Sequence, residues 1–411
     1  GELAQGMGDR LLEIAAAVND PLIEAKALWN LMLLEDNIKR DYFKAIEFGE
    51  ASLAIARAHN LVEPLAYTLH DLSRSYKEVS RIEESLDAAI EADRLFRTLN
   101  QPAMVIDNLA LTADISFQVG ELEKARHYGE EALELSRKTG SLWGLGYSGF
   151  TLAPIYVEFA EFEAAIDSME LSIQAWSVSN AVREFYFLSV WILAWIYASA
   201  GDLKKAFDLA GKLNTVSQDE GELVLGLAMP EVVGLTYSYL YFLEGDTQKA
   251  SETLGEIPDQ DAWFFQFQPP VPALVSSLIC DIAMAAGDFQ PALSLAQAAI
   301  QVVRQSGARP YMADLLLCEG EALIQTGMVE QGLRSLNMAL SEAELTHSRR
   351  AEIKILARWG ALEYAQGERD QSEKLLIRAR KLRDTIATSI KDEKLRELFL
   401  ASRLIASIEG E

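Results

Sequence analysis

One phrase recurs along nearly the whole chain and constrains its fold more than any other feature. A turn with Gly and an acidic residue leads into an amphipathic helix, most clearly at Gly120-Glu121-Leu122-Glu123-Lys124-Ala125 and at Gly201-Asp202-Leu203-Lys204-Lys205-Ala206. Further copies begin at Gly245, Gly287, Gly327 and Gly367, and three earlier ones have lost the Gly. Aligned on its last residue, the phrase gives Ala45, Ser85, Ala125, Ala165, Ala206, Ala250, Ala292, Gly332 and Ser372, spaced by about forty residues. Every one is Ala, Ser or Gly, as expected where two helices cross too closely for a larger side chain. Self-similarity at this period implies stacked helix pairs, none of which can bury its apolar face alone.

Twelve residues before these anchors stand Leu33, Ser73, Ala113, Ala153, Ala194, Ser238, Cys280, Gly320 and Gly360, small in all but the first. Three residues further on, four copies carry Tyr: Tyr76, Tyr156, Tyr197 and Tyr241, while Trp29 holds the place of an opening Trp. A small residue, Tyr three later and Ala nine after that resembles the core of the tetratricopeptide repeat (TPR). HEAT and armadillo repeats share a period in the forties without this combination. The resemblance implies an all-α, right-handed superhelix (an α-solenoid) of about nine TPR-like helix pairs over residues 21–386. Residues 1–20 are expected to form an N-terminal helix, half of a severed repeat, with Leu11, Leu12 and Ile14 inward. Residues 387–411 are expected to be a C-terminal capping helix over Ile390 to Ile408, since an uncapped repeat leaves its apolar face in water. The text from Lys394-Leu395-Arg396-Glu397-Leu398-Phe399-Leu400 onward is similar to the tail closing the TPR region of large bacterial signalling ATPases and cyclases. Beginning at Gly1-Glu2 inside an amphipathic segment, the chain is expected to be a fragment of a longer parent.

The formal charge of -25 argues against a nucleic-acid partner or an anionic membrane, because phosphate contacts need Lys and Arg to displace counterions. It suits outer helix faces rich in solvated Glu. Cys280 and Cys318 fall on the first helices of neighbouring repeats, where a thiol acts as a small hydrophobe. With no signal-like N-terminus, no glycosylation acceptor and no long apolar run, a cytoplasmic, non-membrane location is expected. Arg378, Arg380, Lys381 and Arg383 make the last repeat locally basic, which suggests an electrostatic contact with a neighbouring domain or protein.

The chain carries little that reads as chemistry. Gly144, Gly146 and Gly149 match Gly-x-Gly-x-x-Gly but fall inside a helix, without the preceding strand that a dinucleotide fingerprint needs; no strand is expected anywhere. Phosphate-loop, zinc-protease and nucleophile-elbow motifs are missing, and His59, His70, His127 and His347 are scattered through different repeats. No catalytic residue, metal or cofactor is expected, and the chain reads as non-enzymatic.

In TPR arrays the first helix of each pair lines the concave face. The resemblance implies that residues 18, 15, 11 and 8 before each anchor point into the groove. The second pair supplies Tyr67, His70, Arg74 and Lys77, and the third Asp107, Ala110, Asp114 and Phe117, a polar end. The next three pairs supply Tyr147, Phe150, Pro154 and Val157, then Leu188, Trp191, Trp195 and Ala198, then Val232, Leu235, Tyr239 and Phe242, an aromatic centre. The last three give Ser277, Asp281, Met284, Asp314, Glu321, Lys354 and Tyr364, a mixed surface. The candidate ligand contacts are therefore Tyr147, Phe150, Trp191, Trp195, Tyr239 and Phe242 with His70, Arg74 and Lys77. The aromatics fit either a groove or packing between long helices. The apolar stretch from Ile257 to Pro270 either folds back onto the array or docks a partner.

Two functions follow from the resemblance. One is the ligand-sensing regulatory arm of a MalT-like signal-transduction ATPase, taking a protein or a small effector such as an oligosaccharide. The other is a stand-alone scaffold holding a peptide or helix of another protein in its groove.

Overall fold

A computed structural model describes residues 6, 10, 12–15, 17–178, 183–216, 223–224, 227–255 and 271–409. The chain is an all-α solenoid, and its described residues form nine helix pairs in sequence. The first five pairs run α1 (Pro21–Leu34), α2 (Tyr42–Ala58), α3 (Val62–Glu78), α4 (Ile82–Thr98), α5 (Pro102–Gln118), α6 (Leu122–Thr139), α7 (Leu142–Glu158), α8 (Phe162–Val178), α9 (Arg183–Ser199) and α10 (Leu203–Val216). The array continues through α11 (Met229–Glu244), α12 (Thr247–Leu254), α13 (Val271–Ala286), α14 (Phe289–Ser306), α15 (Met312–Gln325), α16 (Val329–Leu345), α17 (Arg349–Gln366) and α18 (Arg369–Ser389). Odd-numbered helices open each pair and even-numbered helices close it.

The repeated phrase has a backbone reason. Five residues before every anchor the chain turns in the left-handed region: Arg40, Ser80, Gly120, Ala160, Gly201, Gly245, Gly287, Gly327 and Gly367 all have positive φ. Glycine is cheapest there, yet the three copies without it keep the conformation. A second left-handed residue ends several even helices, at Asn60, Asn100, Gly140, Gly307 and His347, types that tolerate the αL region. Helix starts are capped by side chains where the sequence offers them: Asp20 accepts from Leu22 N, Ser141 from Gly144 N and Ser348 from Ala351 N.

The small residues mark the helix crossings. Ser85 Oγ donates to Ser73 O at 2.7 Å and Ser372 Oγ to Gly360 O at 2.8 Å, each anchor meeting the residue twelve before it. A Cβ on Gly332 would meet Gly320 O at 2.6 Å, so only glycine fits this pair without a backbone shift. The helical glycines of α7 have the same cause: a Cβ on Gly146 would strike the Trp176 ring, and Gly149 sits against Ser168 O. Cys280 and Cys318 are buried, unpaired thiols that both approach Ala292 O.

Successive odd helices touch one another along the inner side, and the curve closes on itself. Arg309 N donates to Gln118 O at 2.9 Å, and Ser348 and Arg350 both bond the Glu158 carboxylate, so the eighth and ninth pairs meet the third and fourth. The closing segment is not the single helix expected. It breaks at Ser402 (ψ 144) into α19 (Glu393–Ala401), α20 (Arg403–Ala406) and a 3-10 turn (Ser407–Glu409), and it runs into the ring. At the other end Ile14 is 44% exposed rather than inward, while Leu11 lies outside the described residues, as does the stretch from Ile257 to Pro270. The expectation of no strand is corrected by a two-residue antiparallel ladder, Leu223–Val224 with Leu227–Ala228.

Candidate functional site: the interior of the ring

A basic stripe meets acidic residues of three other helices on the inner wall of the C-terminal half. Helix α17 presents Arg350, Lys354 and Arg358 at spacing four, hence on one face. Facing them are Asp281 on α13, Asp314 and Glu321 on α15 and Glu158 at the end of α7. Arg350 bridges Glu158 (2.7 Å) and Asp314 (2.6 Å), Lys354 bridges Asp281 (2.6 Å) and Asp314 (3.0 Å), and Arg358 bridges Asp281 and Glu321. Burial disfavours the charged form of Asp314, but Arg350 and Lys354 outweigh it and hold the carboxyl far below the usual carboxylate range. Burial likewise opposes charge on Lys354, and Asp281 and Asp314 reverse the effect, so the ammonium stays charged. Four carboxylates, Glu158, Asp281, Asp314 and Glu321, thus share three cations.

Two cavities open onto this network. One, of about 490 Å³, has Trp195, Tyr239, Leu274 and Leu278 on its apolar side and Asp314, Arg350 and Lys354 on its charged side. The second, of about 580 Å³, runs from Tyr239 and Phe242 to Asp281, Glu321 and Arg358. Both volumes lie in the range of ligand sites. Between them lies the closing segment, whose Arg403 and Leu404 border each. Burial pushes the Tyr239 hydroxyl up to about 12, partly offset by Lys354, so it is a neutral donor at physiological pH.

The projected groove residues separate into distinct environments. Trp195, Tyr239 and Phe242 reach the cavity walls. Trp191, at 3% exposed, packs in the core behind them, and Trp195 is itself 6% exposed with its ring against Tyr311 at 6.1 Å. Tyr147 and Phe150 belong to an aromatic cluster, Tyr147 beside Trp143 (6.1 Å) and Phe150 edge-on to Phe185 (5.7 Å). Burial raises the Tyr147 hydroxyl to about 12, with Arg74 pulling the other way.

His70, Arg74 and Lys77 form a second polar wall, in the N-terminal half. His70 is 2% exposed and its ring nitrogens meet Asn108 Oδ1 and Asp107 Oδ2, each at 2.9 Å. Arg74 reaches the same Asp107 oxygen at 3.0 Å, Trp143 Nε1 donates to its other oxygen at 2.9 Å, and Lys77 pairs with Asp114 at 2.8 Å. Burial would raise the Asp107 carboxyl, but the bonds from His70, the charge of Arg74 and the Trp143 N–H hold it well below the usual range.

Asp281, Asp314, Glu321 and Lys354 fall at projected groove positions, and the structure brings them together. Their partners Arg350, Arg358 and Glu158 lie one helical step off that register; the four-residue spacing of 350, 354 and 358 is the signal that marks them. Three of the four basic residues of the last repeat pair within the chain: Arg378 with Glu344 and Glu352, Arg380 with Glu373, and Arg383 with Asp384 and Glu409. Among the described residues no group of side chains is arranged to hold a metal, and no helix is long and apolar enough to cross a membrane.

No family model matches the sequence, and no curated protein matches it. Solved structures do. The apo form of RapI aligns with a TM-score of 0.54 at 15% identity, over 69% of this chain and 98% of that one. A Rap protein complexed with Competence and Sporulation Factor aligns at 0.45 and 13%, over 80% of each chain. The apo form of the quorum sensor NprR from B. thuringiensis aligns at 0.48 and 11%, over 82% of each. At these identities the likeness to RapI speaks for the fold, which is a TPR-type helical-repeat solenoid.

Proposed function

We propose that this chain is a non-enzymatic, ligand-sensing interaction protein that takes a peptide segment inside its ring. The observation that carries this is the cavity with an apolar wall of Trp195, Tyr239 and Leu278 facing an ionic floor of Asp314, Arg350 and Lys354. A peptide offers apolar side chains and charged or polar groups along one strand, and this pairing of walls matches both. That the protein of the Rap comparison was solved with Competence and Sporulation Factor is compatible with ligand capture by such a fold. The narrower reading, a MalT-like regulatory arm with an oligosaccharide effector, draws on the aromatic wall alone, since sugar rings stack on such faces. The buried ion network favours the peptide.

A thermal-shift screen of short peptides against maltooligosaccharides separates the two, because a ligand that binds only the folded array raises its melting temperature. Peptides should do so, and Tyr239→Ala and Lys354→Met should each weaken the best of them at least tenfold. Stabilisation by sugars alone, or peptide affinity indifferent to both substitutions, overturns the reading.

A further inference from the structure

The closing segment does more than cover the last repeat. Residues 391–405 reach across the interior to pairs four, five and six: Lys391 N and Asp392 N donate to the Glu163 carboxylate at 2.9 and 2.7 Å, and the Phe399 ring lies 5.7 Å from Phe162. Leu398 O rests on Gly201, where a Cβ would collide, and Arg403 Nη1 donates to Phe242 O at 3.3 Å. Helix α19 turns Leu395, Leu398 and Phe399 toward the array, an i, i+3, i+4 set of the kind an amphipathic helix lays into a groove.

We propose that this segment is an intramolecular occupant of the interior, and that the partner the interior takes is an amphipathic helix of the same pattern: apolar at i, i+3 and i+4, with a basic side chain four residues after the last. This rests on the peptide reading above and names its ligand class. Three observations support it. The fit is incomplete, because cavities of about 490 and 580 Å³ remain on either side of Arg403 and Leu404. The segment is broken at Ser402 into helices of nine and four residues, too short to be stable without the surface they lie on. Charge is complementary: Lys391, Lys394, Arg396 and Arg403 outnumber Asp392, Glu393 and Glu397 in a chain of formal charge -25. A better-filling helix in trans therefore competes for the site, against a tethered rival whose effective concentration is in the millimolar range.

Hydrogen exchange on the unmodified chain is the first test. Amides of residues 393–409 should exchange through an opening at least tenfold more frequent than global unfolding, and more so with excess synthetic peptide spanning residues 391–405. Exchange only through global unfolding would show a permanent cap and overturn the proposal. The second test measures that peptide, fluorescently labelled, binding to the full chain carrying Phe399→Ala. It should bind at least tenfold more tightly than to the unaltered chain, and a peptide with the same Phe399→Ala change should not bind. Equal affinity for both chains overturns the proposal. If Phe399→Ala does not fold, Arg403→Ala, which loses a contact to one carbonyl, replaces it. Because exchange is first read without ligand, its failure removes the strap and leaves the cavity reading standing. A tail shown to be released, with no peptide bound, removes both.

Discussion

Ser80 shows what the repeat demands of a single residue. It occupies the left-handed turn five before its anchor, where six of the nine copies carry Gly, and it holds φ 62 with a Cβ in the unfavourable position. Ser80→Gly should therefore stabilise the protein by about 1 kcal/mol, against the usual destabilising trend for added glycine. Urea unfolding of the single variant checks this; a lowered midpoint would mean the turn is held by something other than backbone conformation. The conformation was legible in the sequence even where the glycine was lost, because the spacing to Ala45, Ser85 and Ala165 points to Arg40, Ser80 and Ala160. Arg350 and Arg358 were not legible in this way. Their spacing with Lys354 puts them on one helix face, but the carboxylates they meet depend on which helices the ring brings together at sequence separations of more than thirty residues, and local periodicity does not carry that.

Between elements, the Tyr of the repeat pattern is a clasp. Tyr76, Tyr156 and Tyr197 each donate to a Glu on the preceding even helix, Glu50, Glu130 and Glu170, at 3.0 Å in all three cases. A cation lies over each ring: Arg81 at 4.3 Å, Arg126 at 5.8 Å and Lys205 at 4.5 Å. The unit joins one pair to the next, which is the interface term of a repeat array. Tyr156→Phe keeps the ring and its burial but removes the charged hydrogen bond, and should cost about 1–2 kcal/mol. Chemical unfolding is the measurement, and a cost near zero would assign the clasp to ring packing alone. The nine-pair register was readable because each crossing selects a small residue regardless of what surrounds it. The fate of the aromatics was not: Trp191 and Trp195 stand four apart on α9, yet Trp195 lines the cavity shared with α11, α13 and the closing segment, while Trp191 packs in the core. The break at Ser402 was equally hidden, since the amphipathic pattern continues through it.

For the molecule as a whole, closure of the ring rests on a buried charge bridge. Arg350 ties Glu158 of the fourth pair to Asp314 of the eighth, with Ser348 on the same Glu158 carboxylate. Removing Arg350 leaves Glu158 buried without its cation and Asp314 with Lys354 alone, a loss of about 3–5 kcal/mol for a broken buried pair. Arg350→Ala should thus lower stability by that order and open the ring, raising the radius of gyration in small-angle scattering. Acid should do the same by another route. Asp314 and Asp107 are held below their unfolded carboxylate value of about 4, so the stability they supply is fully present above that pH and is lost as pH falls through their depressed folded values. Stability contributed by these groups should be flat near neutrality and fall steadily below about pH 4. Asp314→Asn should be less stable than the unaltered chain at neutral pH, with a shallower acid dependence, so that the two curves converge toward low pH. Parallel curves would place the acid-sensitive charge elsewhere, because only a group that changes its proton affinity on folding can change the slope. Scattering recorded over the same range decides whether the ring opens as that stability is lost: expansion before the helices melt identifies the bridge as the clasp of the whole molecule, whereas simultaneous loss shows that closure and folding are one transition.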